Sequence, residues 1–172
     1  MRLIKTVFAP ALALVLALAS APAMAEPLPK PTGPVLLTIS GDIEITNTDE
    51  GTAAFDLAML REIGQSDIET TTIWTEGRHR FTGVSLKTLL ERVGAKGKML
   101  KATAINDYSV EIPTSDAVRN GPIVAYEMDG QTMSRREKGP LWVIYPYSSS
   151  SDYRSEVIYS RSIWQLDRIS LE

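Results

Sequence analysis

The 172-residue sequence contains no cysteine. That absence excludes disulfide staples, thiolate nucleophiles and thiolate metal ligands, so the fold has to be stabilised by packing. Histidine occurs once, as His79 between Arg78 and Arg80, so no histidine pair exists to build a zinc site and the residue reads as part of a charged, solvated turn. An excess of positive charge is also missing. The chain has 18 Lys and Arg against 21 Asp and Glu, and without Arg2 and Lys5 the balance is 16 against 21, a net −5 that argues against a nucleic-acid partner. Beyond residue 25 no apolar run approaches the roughly 20 residues that a membrane-spanning helix needs.

What is present begins with a targeting signal. Arg2 and Lys5 form a positive start, residues 11–19 are an unbroken run of Ala, Leu and Val, and Ala23-Met24-Ala25 fits the small-x-small rule for cleavage. Residues 1–25 are therefore expected to be a secretory signal peptide directing the chain to the periplasm. Residues 26–34 carry four prolines and read as an extended leader. The 147 residues that follow the signal suit one domain, residues 35–172 holding the fold.

The stretch Lys138-Gly139-Pro140-Leu141-Trp142-Val143-Ile144-Tyr145-Pro146 organises that domain. A Gly-Pro corner feeds five apolar or aromatic residues and a second proline stops them, the pattern of a short strand buried on both faces. It empties into a polar loop of four serines, residues 148–151, that ends at Arg154, and such junctions are where ligand sites tend to sit. Around it, residues 35–40, 43–46, 68–74, 101–112 with a break at Asn106-Asp107, 123–128 and 157–171 read as strands. Leu57, Leu60 and Ile63 before Gly64 give one short helix, and Leu86, Leu89, Leu90 and Val93 behind Ser85 give a second, clearer one. Residues 116–120 suit a short helical turn. Asp129-Gly130 is the dipeptide of a type I′ hairpin turn. The expected class is α+β and β-rich.

Several motifs acquire meaning from their order. Phe81-Thr82-Gly83-Val84-Ser85-Leu86 precedes an amphipathic helix, and Ala104-Ile105-Asn106-Asp107-Tyr108 stands ahead of Glu111-Ile112-Pro113. Met128-Asp129-Gly130 and the Lys138 to Pro146 stretch follow. Taken together over roughly residues 35–171, the chain resembles the molybdopterin-binding domain of the sulfite oxidase-like (SUOX-fold) oxidoreductases, which implies that fold. The resemblance also implies a molybdenum-ligating cysteine shortly upstream of the aromatic-x-Gly motif, where this sequence has Glu69-Thr70-Thr71-Thr72-Ile73-Trp74. A threonine hydroxyl is a poor substitute for a soft thiolate. The family's arginine in a Gly-Pro-Leu-Arg motif becomes Trp142 here, and exchanging a cation for an aromatic suits a flat ring better than a phosphate. This pattern is similar to the cysteine-free, secreted branch of the fold, periplasmic pterin-binding proteins that signal to membrane-bound receptors such as cyclic-di-GMP enzymes.

The expected ligand is a reduced, non-covalent pterin, with molybdopterin as the alternative. The expected site residues are Trp74, Asn106, Asp107, Tyr108, Trp142, Tyr145, Ser149 and Arg154. Each also has a plain reading: Trp74 and Trp142 as core, Asp107 as a turn cap, Arg154 as a surface cation. A carboxylate such as Asp107 is the natural partner for the paired N–H donors of an aminopyrimidinone edge. Three functions follow. One is a non-catalytic pterin-binding protein whose partner is the periplasmic domain of an inner-membrane receptor; another is a molybdopterin-dependent oxidoreductase or a subunit of one; the third is a binding module of this fold for some other small molecule, or a purely structural partner, told apart by whether a pterin co-purifies.

Overall fold

The computed structural model describes residues 27–172. The proposed signal peptide lies outside the described residues. Among the described residues, no helix is long and apolar enough to cross a membrane.

Two five-stranded sheets carry the fold. Strand β1 (Leu37–Gly41) pairs antiparallel with β2 (Ala53–Phe55), and Asp56 then starts helix α1 (Leu57–Ile63). Strands β3 (Ser66–Thr71) and β4 (Arg78–Ser85) form a hairpin, and β4 runs into α2 (Leu86–Arg92). A second hairpin joins β5 (Met99–Ala104) to β6 (Ser109–Pro113). Then come β7 (Ile123–Met128), β8 (Gln131–Thr132), β9 (Trp142–Ile144), α3 (Glu156–Arg161) and β10 (Leu166–Leu171). The first sheet has the order β2-β1-β10-β5-β6, with β1 and β10 parallel. The second is β3-β4-β7-β8, and β9 pairs with β7 beside β8.

The core collects the inward faces of both sheets and the apolar stripes of α1 and α2. Leu37, Ile39, Phe55, Leu60, Phe81, Leu89, Val93, Leu100, Val124, Trp142 and Ile144 are all fully buried. At about 1.5–3 kcal/mol for each large apolar side chain taken out of water, this packing supplies the stabilisation that disulfides cannot. All three residues of β9 are buried, as a strand covered on both faces requires. Where β4 crosses β7 the register shifts between Thr82 and Gly83. A Cβ on Gly83 would stand 2.2 Å from the Val124 carbonyl oxygen, so only glycine permits this approach. The turn at Asp129-Gly130 has φ of 53° and 78°, both positive as type I′ demands.

Three expectations are corrected. Residues 43–46 are not a strand, because the Glu44 and Ile45 amides both donate to the Val93 carbonyl at the end of α2 and leave the sheet ladder. The partner of β1 is instead the short Ala53–Phe55 segment. Residues 157–171 are not one strand either. Ser155 accepts from the Ile158 amide and caps α3, so only Leu166–Leu171 is extended. Finally, the helical turn expected at 116–120 is a 3-10 turn at Thr114–Asp116.

The Pro-rich leader lacks regular structure but is tied down. Asn47 Nδ2 donates to the Pro29 carbonyl at 2.7 Å, the Thr32 and Gly33 amides donate to Asp56 at 2.8 Å each, and Leu28 is buried.

Candidate functional site

Among several concavities of similar size, the one with the most aromatic lining is a groove of about 410 Å³ at the end of the first sheet, within the roughly 300–1,000 Å³ of small-molecule sites. Three segments build it. The first is the bend after β3, which carries Trp74. In that bend Thr72 Oγ1 accepts from the Trp74 and Thr75 amides at 3.1 and 3.0 Å, a local turn that fixes where the indole leaves the chain. The second is the β5–β6 turn. Asn106 Oδ1 accepts from the Tyr108 amide at 3.2 Å and Asp107 takes a φ of 65°, which delivers Asn106 and Tyr108 to the rim. The third is the passage from α3 to β10, residues 159–165.

That passage is pinned to the rest of the fold by backbone bonds. The Val143 amide donates to the Ile163 carbonyl at 2.9 Å and the Leu166 amide to the Leu141 carbonyl at 3.0 Å. The Ile105 amide donates to the Gln165 carbonyl at 2.9 Å, and Gln165 has a φ of 54°. Tyr159, Trp164 and Gln165 are thereby turned toward Trp74 and Asn106, and all five line the groove.

The walls are aromatic. Trp74 meets Trp142, Tyr159 and Trp164 edge to face, each with ring centroids 5.8 Å apart, and Tyr147 at 6.2 Å. Trp164 is 37% and Tyr108 58% exposed, so both present ring surface to a ligand. The Lys138 ammonium lies 4.6 Å from the Trp164 ring centre and 5.2 Å from that of Trp142, close enough for a cation–π contact. A flat heterocycle with an amide-like edge matches this lining: ring faces from the tryptophans and tyrosines, hydrogen bonds from Asn106 and Gln165.

The expected site residues separate into groups. Trp74, Asn106 and Tyr108 share the groove. Asp107 is beside them in sequence but outside the lining, and its carboxylate accepts from Arg168 Nη2 at 2.7 Å. Trp142 is fully buried, with Nε1 donating to the Ser162 carbonyl at 3.1 Å, so its ring lies behind Trp74 and offers no face to a ligand. Tyr145 is buried too. Its hydroxyl donates to Asp116 at 2.7 Å, and burial together with that carboxylate pushes its phenol far above the ordinary range. Behind Trp74, the Tyr147 phenol is pushed up to about 12 by burial. Ser149 lines a different, polar groove with Lys87, Arg119 and Asn120. Arg154 follows the 3-10 turn Ser151–Tyr153 and lines neither groove. Trp164, Tyr159, Gln165 and Lys138 were not anticipated, since the first three fall in a stretch whose residue types read as a strand.

The threonine segment has its own chemistry. Thr70 is fully buried, with Oγ1 accepting from the Ser148 amide at 3.0 Å, while the Thr71 amide donates to Ser148 Oγ at 3.2 Å. Together with the Thr72 bonds, these contacts engage the hydroxyls of Thr70 and Thr72 inside the protein and staple the serine loop to β3. Among the described residues, no group of three or more His, Cys, Asp or Glu is placed to hold a metal ion. The aromatic groove therefore fits the ring of a pterin, whereas the threonine segment supplies no soft ligand for its metal.

The single histidine lies at the start of β4, half-buried on the same face as Phe81, whose ring centre is 6.3 Å away. His79 Nδ1 is 2.6 Å from Asp129 Oδ2 and Nε2 is 2.7 Å from the Glu76 carbonyl. A carboxylate and a carbonyl are both acceptors, so this geometry favours the doubly protonated imidazolium over either neutral tautomer. The Asp129 carboxylate accordingly raises its pKa above the ordinary 6.5. A raised folded-state pKa means stability that is fully present below 6.5 and lost as pH rises through the folded value. In NMR titration the one histidine should show a midpoint above 6.5. Stability should fall across that midpoint, and His79→Gln should flatten the dependence; a midpoint at or below the ordinary value contradicts the double bond.

Compared with known protein families, residues 46–152 match the oxidoreductase molybdopterin binding domain. The match covers well over half of the chain and includes Trp74, Asn106 and Tyr108, while Tyr159, Trp164 and Gln165 lie beyond it. No curated protein matches the sequence.

Proposed function

The chain belongs to the oxidoreductase molybdopterin-binding domain family, and from that premise we propose that it binds a molybdopterin-class pterin in the aromatic groove and acts as an oxidoreductase domain or as a subunit of one. The observation that carries this reading is the convergence of Trp74, Asn106 and Tyr108, all inside the family-matched segment, on one groove walled by exposed aromatic rings. When bound, such a cofactor supplies the redox chemistry, and the protein supplies binding, orientation and electrostatics. Trp164 and Tyr108 would stack on the ring, Asn106 and Gln165 would take its amide edge, and the cluster behind Trp74 would exclude water from one face.

A second reading is supported by the threonine segment. With internally bonded hydroxyls where the resemblance implies a thiolate, the domain is suited to hold a pterin without molybdenum. On that reading it is a periplasmic, non-catalytic protein that reports pterin to the periplasmic domain of an inner-membrane receptor.

Purification from a host that makes molybdopterin decides between them, with pterin measured by fluorescence after oxidation and molybdenum by elemental analysis. The oxidoreductase reading expects pterin and molybdenum each near one per chain, together with turnover of a dye acceptor. Pterin without metal favours the signalling reading. Absence of both, with no binding of added pterin in calorimetry, would remove the groove as a pterin site.

A further inference from the structure

Strand β3 is the outermost strand of its sheet and pairs only with β4. The Arg80 amide donates to Asp129 Oδ1 at 3.0 Å and the Arg80 carbonyl accepts from the Asp129 amide at 2.8 Å, so both backbone groups of Arg80 face away from β3. Glu69 stands opposite Arg80, exchanges no backbone bond with it and turns its own amide and carbonyl outward. Such groups recur at every second residue of an antiparallel strand, so Asp67 and Thr71 point the same way. The Thr71 amide agrees with this phase, donating to Ser148 Oγ at 3.2 Å. Among the described residues, nothing beyond the ladder with β4 takes the Asp67 amide, the Asp67 carbonyl or the Glu69 amide. The Glu69 carbonyl accepts from Arg78 Nη1 at 3.1 Å, an exposed side chain that an incoming amide can displace.

The polar groove that contains Ser149 runs along this edge. It measures about 620 Å³, and residues 66–69 all line it, faced by Lys87 of α2 and by Arg119. Successive side chains of a strand alternate between its faces, so a groove that meets four consecutive residues follows the backbone edge. The charges around it are unequally engaged. Asp67 accepts from the Thr82 hydroxyl, Glu69 accepts from Arg80 Nη2 at 2.8 Å, and Lys87 pairs with Glu91. Arg119 is exposed and, among the described residues, has no carboxylate partner. The groove therefore offers an open strand edge on one wall and an unpaired guanidinium on the other.

We propose that this groove receives an extended segment of a partner protein, which adds to β3 as a further strand, with its main chain on Asp67 and Glu69 and a carboxylate on Arg119. In such an addition backbone pairing supplies affinity and the flanking side chains supply selectivity. A second copy of this chain is the wrong occupant. Pairing the edge with itself about a two-fold axis centred on Asp67, Ile68 or Glu69 sets acidic side chains directly opposite one another, which is destabilising. Asp67 and Glu69 thus guard the edge against its own kind, while their backbone groups stay open to another sequence. The edge groove shares no lining residue with the aromatic groove, so this interaction does not depend on the pterin reading.

The test is an NMR titration of the full folded chain with two capped peptides of alternating valine and threonine, one with a central glutamate and one with a central lysine. Shifts should concentrate on the Asp67 and Glu69 amides. Solvent exchange of those amides should slow about tenfold at a peptide concentration about ten times Kd. The glutamate peptide should bind roughly two- to fivefold tighter than the lysine peptide, the scale of an exposed ion pair. Arg119→Gln should bring that ratio to about one and Arg119→Glu should reverse it. Both variants should keep the wild-type spectrum away from the groove, because the side chain is exposed. Shifts centred elsewhere, unchanged exchange at saturation, or no binding of either peptide at millimolar concentration would overturn the strand addition. A ratio that survives both Arg119 variants would overturn the carboxylate assignment. Sedimentation of the chain alone completes the test, since self-association that protects the same two amides would make a second copy the occupant and overturn the partner protein.

Discussion

Trp74→Ala is expected to lower the urea midpoint and abolish ligand binding together. The side chain contacts four aromatic rings, Trp142, Tyr147, Tyr159 and Trp164. Edge-to-face pairs contribute about 0.5–1.5 kcal/mol each beyond burial, and truncating a large aromatic costs about 3–5 kcal/mol in total. The loss falls on the groove, because Tyr159 and Trp164 lean on Trp74 from α3 and from the strand entry, whereas Trp142 is also held by its bond to Ser162. Trp74→Phe should recover much of the stability, since a smaller ring still meets part of the cluster. Equilibrium unfolding of the two variants beside the wild type, with pterin calorimetry on each, checks this. A wild-type midpoint in the alanine variant would mean that the cluster does not depend on Trp74.

Asp56→Ala should be the second most damaging substitution, through hydrogen bonding. Asp56 is 3% exposed, and its carboxylate accepts from the Thr32 and Gly33 amides at 2.8 Å each and from the Met59 amide at 2.9 Å. One side chain thus caps α1 and fastens the leader to the domain. Losing a cap and leaving buried donors unpaired should cost about 2–4 kcal/mol. The Met59 bond above all, then that of Gly33, holds the carboxyl below its ordinary 3.8. With a depressed folded-state pKa, the stabilisation is present above 3.8 and is lost as pH falls through the folded value. Acid unfolding followed by circular dichroism should therefore show a transition that is weakened in Asp56→Ala. Asp56→Asn, which keeps one acceptor oxygen but no charge, should fall between the two. Identical acid profiles for all three chains would assign the leader's attachment to packing alone.

Much of the secondary structure was readable because its signals are local. Strand β7 begins and ends where its apolar run does, between Pro122 and Asp129-Gly130. The stripe of Leu86, Leu89 and Leu90 turns inward on α2, and all three are buried. Where the reading failed, a distant partner had intervened. Residues 43–46 have strand-like alternation, but the Glu44 and Ile45 amides are taken by the Val93 carbonyl, some fifty positions away. Val157 and Ile158 have strand-forming side chains, but Ser155 caps them into a helix. Trp142 and Tyr145 carry the right chemistry for a ligand, yet both are fully buried, and nothing within a few residues of either reports which rings will lie above it.

By itself, the sequence determined that this protein is a strand-rich α+β domain without thiolate chemistry, built around a buried strand after Gly139-Pro140. Composition, period and motif order are properties of the chain, and they persist whatever packs against them. Only the tertiary structure decided where a ligand can go. The groove joins Trp74, Asn106, Tyr108, Tyr159, Trp164 and Gln165, and the basic loop 135–138 beside it is fixed by hydrogen bonds from the Gln165 amide and side chain to backbone carbonyls about thirty positions earlier. Which tryptophan is core and which is wall depends on the antiparallel bridge of Trp142 with Trp164 and on the place of β10 between β1 and β5. Local periodicity reports neighbours within one turn or one pleat, whereas the exposure of an aromatic face is settled by segments that meet only when the sheets close.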